Sequence, residues 1–322
     1  MEEKGLQNKS ILGNEIQLQD SETENKTDSE NGDFREADIQ AELEYVNTYS
    51  GQAMNQQELF QLSAHEDLEL VLVAGPFESG KTTLETMLYY VFLEGRNKKL
   101  NFGGSYTIPG FKKRTEKILY SSGEPEAMMG RTLLQDTDCF LHLRVCNETG
   151  QSQNLIFADL PGEIFEKTGY IEDYREAFED VENVIVIMDG SKVCNINERQ
   201  NVYMDTLVMI KMFLKNGIIT HNTKLQIVCT KLDEIQASEN CAEVESFLET
   251  KWKELLRLFE NEVFSMDYII VSAMRIEEEC ESEKLEKILC KCMEDVPRRN
   301  KAILWENTLE KVRQFDFFGI RG

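Results

Sequence analysis

The sequence predicts an α/β fold of three layers, in which a mostly parallel sheet with one antiparallel edge strand carries helices on both faces. The first observation is a set of short, apolar, β-branched runs typical of buried parallel strands, at residues 68–73, 184–188, 225–229 and 268–271. The second is a set of helical stretches, at residues 82–93, 198–215, 242–259 and 281–293. Because strands and helices alternate, the connections are expected to cross over one common sheet.

The antiparallel part of the sheet is expected from residues 138–146 and 154–159, which flank a polar turn at residues 147–150. Two apolar runs joined by such a turn predict a pair of antiparallel strands. His142 occupies an alternating position in the first of these strands, a pattern that favours a packed or rim histidine over a catalytic one.

The chain is predicted to have three parts. Residues 1–33 are acidic and poor in apolar side chains, which is typical of a flexible tail. Residues 34–65 carry spaced apolar positions that predict a short helical leader, and residues 66–322 are expected to form the main domain. Within it, residues 98–130 are expected to be a structured insertion, with turns at Gly103-Gly104 and at Pro109-Gly110.

The composition excludes several classes of partner. The formal net charge of −24 and the pI of about 4.6 argue against binding nucleic acid or an anionic membrane surface, because both need a basic patch. No long uncharged apolar segment predicts a membrane span. The 8 cysteines lie mostly in or beside apolar runs, where free thiols behave as small hydrophobic groups. We therefore expect a protein of the cytoplasm.

The most informative motif is the run Gly75-Pro-Phe-Glu-Ser-Gly-Lys-Thr82, which follows the first predicted strand and opens the first predicted helix. Its spacing is that of a P-loop, in which successive backbone N–H groups wrap a phosphate. Lys81 is expected to reach the terminal phosphates, as a candidate catalytic residue, and the Thr82 hydroxyl to bind Mg²⁺. The expected nucleotide contacts in this loop are Gly75, Glu78, Ser79, Gly80, Lys81, Thr82 and Thr83.

A second motif, Asp159-Leu-Pro-Gly162, begins at the end of the predicted strand 154–159. An Asp at the end of a strand beside the P-loop can hold Mg²⁺ through water, and Gly162 can donate its N–H to a γ-phosphate. A simple turn after a strand is the alternative reading of Leu-Pro-Gly.

Two further motifs at strand ends favour guanine as the base. Thr230-Lys231-Leu232-Asp233 follows the strand at 225–229, and Asp233 can accept two hydrogen bonds from guanine while the Lys231 stem packs on the base. Ser272-Ala273 follows the strand at 268–271, where a backbone N–H can meet the guanine O6. Adenine offers neither pattern, and mismatched buried polar groups discriminate strongly.

Together, GPFESGKT, DLPG, TKLD and SA resemble the motifs of the Ras-like, translation-factor-related class of P-loop GTPases, over about residues 66–296. More narrowly, GPFESGKTT, FGGSYTIPGF, FLHLRV and ADLPGE are similar to the bacterial double-GTPase family, whose domains are often encoded in conflict or defence systems. The resemblance implies a P-loop NTPase fold, GTP/GDP and Mg²⁺ as cofactors, and a switch that works with an effector or regulatory protein or with another GTPase. The family name implies paired domains, whereas this chain carries one P-loop motif.

Two residues depart from the best-known Ras-like switches. Phe77 replaces a loop Gly, so its ring is expected to cover the nucleotide or to block an arginine from a partner. Glu163 replaces the Gln that orients the attacking water, and its carboxylate is expected either to act as a base or to repel the nucleophile.

The second Mg²⁺ hydroxyl is expected from the segment before residue 138. Thr137 and Thr132 are the candidates, and Thr107 in the insertion is a weaker one. Arg131 is a candidate for stabilising charge at the phosphates, with a solvated surface arginine as the alternative.

The residues and the resemblance together predict a GTP-binding molecular switch with slow, Mg²⁺-dependent GTP hydrolysis. Two alternatives stay open. One is a nucleotide-stabilised scaffold that does not hydrolyse, and the other is an ATPase of the same fold.

Overall fold

The structure is a computed structural model, and it describes residues 51–121, 140–158, 178, 181–273 and 279–296. The predicted tail at 1–33 lies outside these residues, as does most of the predicted leader. Within the leader, one helix is described, α1 at Gln56–Ser63. Asn55 and Glu58 cap its N-terminus reciprocally, because each side chain accepts the backbone N–H of the other residue.

In the part of the chain that the structure describes, seven strands form one sheet. They are β1 Leu68–Ala74, β2 Leu100–Gly104, β3 Phe140–Asn147, β4 Ser152–Ala158, β5 Asn183–Met188, β6 Lys224–Cys229 and β7 Ser265–Ile270. Their order across the sheet is β2-β3-β4-β1-β5-β6-β7. β3 runs antiparallel to both of its neighbours, and all the other pairs are parallel. The predicted fold class is therefore confirmed, with β2 of the insertion lying outside β3 at the edge.

The other described helices lie between these strands, except the last one, which follows β7. They are α2 Lys81–Leu93, α3 Ile108–Ser121, α4 Gly190–Cys194, α5 Arg199–Lys215, α6 Leu232–Ala237, α7 Cys241–Phe259 and α8 Glu279–Cys292. Four of them match the helical stretches predicted at 82–93, 198–215, 242–259 and 281–293 to within two residues at each end.

Two apolar cores lie on opposite faces of the sheet. Successive strand residues point to opposite faces, so Val71 and Val73 of β1 join one core while Leu72 and Ala74 join the other. The first core also takes residues of α2, α3 and α8, and the second takes residues of α1, α5 and α7. This arrangement places helices on both faces, as the alternation of strands and helices predicts.

The insertion departs from its predicted turns. Pro109 and Gly110 lie in the first turn of α3, where a proline costs no hydrogen bond because the first N–H groups of a helix have no intrahelical acceptor. A Cβ on Gly110 would lie 2.8 Å from the backbone nitrogen of Ala53, so glycine lets α3 pack against the chain before α1. Gly103-Gly104 also makes no turn, because it ends β2 at a shift of register against β3.

A polar cluster ties the insertion to β1 and β3. The backbone N–H of Tyr106 donates to Nδ1 of His142 over 3.0 Å, and Nε2 of His142 lies 3.2 Å from Oδ1 of Asn154. Glu66, just before β1, accepts hydrogen bonds from the Tyr106 hydroxyl and from Arg144. His142 is buried, so the prediction of a packed histidine is confirmed.

Candidate functional site

The loop between β1 and α2 has the backbone of a phosphate cradle. Glu78 and Gly80 both adopt positive φ, at 61° and 91°, and Gly80 is the residue that precedes the first turn of α2. Where a residue with left-handed backbone conformation follows one with right-handed conformation, successive backbone N–H groups point into the same concavity. The N-terminus of α2 adds the positive end of its helix dipole to this concavity. The loop is therefore suited to an anion such as a phosphate.

Glycine is required at position 75 because neighbouring atoms come close to it, and not because of its backbone conformation. A Cβ at this position would lie 2.8 Å from the Ser79 hydroxyl and 3.0 Å from the Ile187 Cβ. A side chain here would push the loop away from β5. The cradle therefore depends on both glycines of the motif, Gly75 for close packing and Gly80 for its positive φ.

Lys81 points back across the loop. Its ammonium donates to the carbonyl oxygens of Gly75, at 3.0 Å, and Pro76, at 2.9 Å, and the side chain is buried. The charge is thus held at the mouth of the cradle, where it can also meet a phosphate. Thr82 is half-buried in the first turn of α2, and Phe77 is 37% exposed at the loop surface.

The segment that follows β6 is fastened to the phosphate cradle. The Thr230 hydroxyl donates to the carbonyl of Ser79 over 2.8 Å. Lys231 adopts a left-handed conformation, with φ of 58°, and the N–H of Leu232 then donates to the carbonyl of Val271 over 3.1 Å. The loops after β1, β6 and β7 therefore meet at one edge of the sheet.

The two motifs predicted to read the base are joined directly. Asp233 lies in the first turn of α6, and its Oδ1 accepts a hydrogen bond of 2.9 Å from the Ser272 hydroxyl. Ala273 follows next along the chain and is buried. A carboxylate and a backbone N–H are the groups that guanine requires, and here they lie on adjacent loops.

Asp189, directly after β5, is a site residue that the sequence reasoning missed. Its Oδ1 lies 2.9 Å from the Lys231 ammonium and accepts the Ser191 N–H over 3.1 Å, and the residue is only 2% exposed. The sequence could have indicated Asp189, because Asp189-Gly190 directly follows a predicted apolar strand, as Asp159 does. The ion pair orients Lys231, whose stem is predicted to pack on the base.

Gly190, the next residue, brings two loops into contact. A Cβ at Gly190 would lie 2.1 Å from the carbonyl oxygen of Thr230, a separation that no side chain can occupy. Glycine is therefore needed for α4 to pack against the segment that follows β6. Sequence spacing gives no sign of this contact.

Several predicted site residues lie outside the described residues: Arg131, Thr132, Thr137, Asp159, Gly162 and Glu163. β4 ends at Ala158, which pairs with Leu72 of β1, so the strand that precedes Asp159 is next to the strand that feeds the cradle. The roles assigned to these residues remain predictions.

Thr107 does not belong to the Mg²⁺ site. Its hydroxyl accepts the His142 N–H over 2.8 Å and lies 3.3 Å from the His142 carbonyl. β4 pairs with both β3 and β1, and this pairing places His142 at the same height in the sheet as Leu70. Leu70 is four residues before the end of β1 at Ala74. With a strand rise of about 3.3 Å per residue, this level is roughly 13 Å from the end of β1, measured along the strand. The hypothesis that it supplies a Mg²⁺ ligand is therefore wrong.

The residues present fit a bound nucleotide. The cradle, the buried lysine, the helix N-terminus and the Asp233–Ser272 pair all lie where the parallel strands end, which is the usual ligand site of such sheets. The fold and these loops define a P-loop nucleotide-binding protein of the α/β class.

A comparison with protein families identifies the group within that class. The model of the family Double-GTPase 2 matches residues 69–290, and the chain belongs to this family. The match supports GTP binding and GTPase activity. None of the curated proteins matched the chain. Within the described residues, no helix combines the length and the apolar character needed to cross a membrane.

Proposed function

We propose that this protein is a molecular switch that binds GTP and GDP with Mg²⁺, hydrolyses GTP slowly, and acts through a partner protein. The observation that carries the proposal is the hydrogen bond from the Thr230 hydroxyl to the Ser79 carbonyl. It links the phosphate cradle to the loop that holds Asp233. The loops proposed to bind the phosphates and the base of one nucleotide are therefore in direct contact.

The phosphate end uses charge and backbone groups. Backbone N–H groups between Glu78 and Thr83 would face the phosphates, although that of Ser79 donates to the Pro76 carbonyl over 3.4 Å. The Lys81 ammonium would leave the loop carbonyls for the terminal phosphates, because an anion is the stronger partner. Thr82 and Asp159 would hold Mg²⁺, directly or through water, and Thr137 would add a second hydroxyl. Bound Mg²⁺ would neutralise the charge that develops on the phosphates.

The base end uses directional hydrogen bonds. Ser272 donates to Oδ1 of Asp233 over 2.9 Å, which leaves the other carboxylate lone pairs for the ring N–H and amino group of guanine. The N–H of Ala273 would meet the guanine O6. Adenine presents an amino donor in place of O6, so its binding would leave buried groups mismatched.

Slow turnover follows from the residues proposed for the hydrolytic step. Gly162 would contact the γ-phosphate, and Glu163 would face the attacking water with a negative charge, which disfavours a hydroxide-like nucleophile. Arg131 would stabilise charge at the phosphates. A switch with slow hydrolysis stays in its GTP state until a partner acts on it.

The partner in this proposal is an effector or regulatory protein, or another GTPase, as the family name suggests. The resemblance to domains of bacterial conflict systems supports placing the switch in such a setting. A net charge of −24 favours a partner with a basic contact surface.

The test is a pair of measurements on the full chain. GDP–Mg²⁺ and ADP–Mg²⁺ affinities are compared by titration calorimetry, and phosphate release is followed in a single turnover with GTP. We expect tighter binding of GDP and slow release that stops without Mg²⁺. Tighter binding of ADP would favour the ATPase alternative. GTP binding without phosphate release would favour the other alternative, a nucleotide-stabilised scaffold that does not hydrolyse GTP.

A further inference from the structure

Glu281 of α8 reaches the loop that is proposed to read the base. Its Oε2 accepts the backbone N–H of Ser272 over 2.7 Å, although nine positions separate the two residues along the chain. Both residues lie in the interior, with exposures of 4% for Glu281 and 2% for Ser272. A buried carboxylate that accepts a backbone N–H makes a strong, directional contact.

The carboxylate of Glu281 is itself held in place. Its Oε1 lies 2.6 Å from the ammonium of Lys284, one turn further along α8. This cation balances the charge of the buried carboxylate, which would otherwise be costly to keep away from water. Glu281 is therefore fixed at both oxygens, one to its own helix and one to the base loop.

The helix that carries Glu281 is anchored at a second point. Oε1 of Glu286 accepts the successive N–H groups of Lys98, Lys99 and Leu100 at 2.8, 2.7 and 2.8 Å. These groups lie at the start of β2, on the far side of the sheet from β7. α8 is thus held at two points, by Glu281 at the base loop and by Glu286 at the start of β2.

The contact with Glu281 fixes more than one atom of Ser272. With the N–H of Ser272 held by Glu281, its hydroxyl donates to Oδ1 of Asp233 over 2.9 Å. A chain of contacts then runs from Lys284 through Glu281 and Ser272 to Asp233. A base-reading carboxylate discriminates only when its oxygens are held in one orientation.

We propose that Glu281 is a positioning residue that sets the preference of the site for guanine over adenine. The inference rests on the proposed GTP-binding function. Glu281 does not touch the base. It orients Ser272, and through Ser272 it orients both Asp233 and the following N–H of Ala273. Its removal therefore weakens the contacts to guanine and leaves the phosphate contacts of the cradle unchanged.

The test compares GDP–Mg²⁺ and ADP–Mg²⁺ dissociation constants of the full chain with those of its Glu281→Ala and Glu281→Gln variants. In Glu281→Ala, GDP affinity is expected to fall about tenfold, which corresponds to the loss of one buried hydrogen bond, while ADP affinity stays the same. Glu281→Gln should retain most of the preference, since an amide oxygen still accepts the Ser272 N–H.

Two controls separate positioning from a general loss of stability. Glu283→Ala is the matched surface variant, because Glu283 lies on the same helix, is 51% exposed and pairs only with Lys98 among the described contacts. It should leave both affinities unchanged. In a Ser272→Ala background, Glu281→Ala should cause a smaller further loss of preference, because the route to Asp233 is already cut and only the orientation of the Ala273 N–H remains to be lost.

The outcomes distinguish the two proposals. Equal affinities of the unaltered chain for GDP and ADP would overturn the guanine assignment and this inference with it. A preference for GDP that persists in folded Glu281→Ala would overturn this inference alone. If Glu281→Ala does not fold, Glu281→Leu decides, because it fills the space of the side chain but cannot accept the Ser272 N–H. A reduced preference for GDP supports the inference, and an unchanged one overturns it.

Discussion

Two charged side chains are held in place by the protein itself. Lys81 is bonded to loop carbonyls, and Asp233 accepts a hydrogen bond from Ser272. Side chains that are already ordered lose little conformational freedom when a ligand binds, so more of the contact energy appears as affinity. We therefore expect changes at these two residues to act on binding more than on folding.

Lys81→Ala is expected to abolish stabilisation of the protein by GTP–Mg²⁺. The ammonium makes a charge-assisted contact with the phosphates that no uncharged group can replace. Bound ligand at about 100 times its dissociation constant adds roughly 2.7 kcal/mol of stability, so the expected difference in melting temperature is readily measured. Lys253→Ala, at an exposed ion pair on α7, is the control. An equal thermal shift in the Lys81 variant and the unaltered chain would contradict the assignment.

Asp233→Asn should weaken GTP binding and relax the preference for guanine. An amide presents one acceptor oxygen where a carboxylate presents two, and its NH₂ group faces the donors of the base. We expect the GTP dissociation constant to rise about tenfold or more, with a smaller change for ATP. Competition between the two nucleotides at fixed Mg²⁺ measures this, and an unchanged GTP affinity would remove Asp233 from the base site.

Glu163→Gln is expected to raise or maintain the intrinsic rate of GTP hydrolysis. A neutral amide can donate and accept at once, and at the position proposed for Glu163 it would remove a negative charge from beside the phosphates. Glu163→Ala should leave the rate low. Single-turnover phosphate release measures all three proteins. If turnover disappears in Glu163→Gln, Glu163 is a general base, and if neither change alters the rate, it is an acidic residue without a catalytic role.

At the scale of elements, the site is assembled by short contacts between loops. Gly190 allows the start of α4 to touch the Thr230 carbonyl, and the Thr230 hydroxyl in turn holds Ser79 of the phosphate cradle. Asp189 caps α4 and pairs with Lys231. A displacement of α4 is therefore expected to disturb both the phosphate cradle and the loop that holds Asp233.

Gly190→Ala should lower both stability and GDP affinity. The added methyl group would lie 2.1 Å from the Thr230 carbonyl, so the two loops must separate. Overpacking of this kind costs roughly 1–3 kcal/mol. Urea denaturation and GDP titration measure the two effects. Gly95→Ala is the control, since Gly95 has positive φ but nothing within 4 Å of its added Cβ, so that variant should lose stability only. Undiminished GDP affinity in Gly190→Ala would show that this contact does not support the site.

At the scale of the whole molecule, the sheet separates two polar regions. The carboxyl ends of β1, β5, β6 and β7 gather the nucleotide loops at one edge, because parallel strands all end on the same side. The cluster around Glu66 and His142 lies nearer the amino end of β1, where it joins the insertion to the start of that strand.

Stability is expected to fall as the pH drops below about 6.5, partly through His142. Burial lowers the pKa of His142, and nearby Arg144 acts in the same direction against the opposing effects of Asn154 and Glu66. The unfolded chain therefore binds a proton at a higher pH than the folded chain does. This contribution to stability is present above the unfolded pKa and is lost as the pH falls through the folded one.

The measurement is the urea midpoint of the full chain and of His142→Gln at pH 7.5 and pH 5.5, chosen as roughly one pH unit to either side of the ordinary histidine pKa. The variant should be less stable at the higher pH, because the ring packs in the core and accepts the Tyr106 N–H. It should lose less stability on acidification. Equal losses in the two proteins would mean that His142 does not titrate differently on folding.

The sequence by itself determined six of the described strands, the four longer helices that match their predictions, and the motif of the phosphate cradle. The strands and main helices follow from apolar periodicity, and the positive φ values at Glu78 and Gly80 lie inside a motif whose spacing is local. Such features depend on sterics and hydrogen bonds among neighbouring residues. For the same reason Thr230, Asp233, Ser272 and Ala273 could be assigned, since each follows a recognisable strand.

Only the tertiary structure decided which of these groups touch. The Gly190–Thr230 approach, the Asp189–Lys231 ion pair and the Glu281–Ser272 hydrogen bond each join segments that are separate in sequence. The same holds for β2, which pairs outside β3, and for Thr107, whose hydroxyl is bonded to β3 rather than placed at the nucleotide site. Contacts of this kind depend on strand order and helix packing, which bring distant residues together without leaving a local pattern.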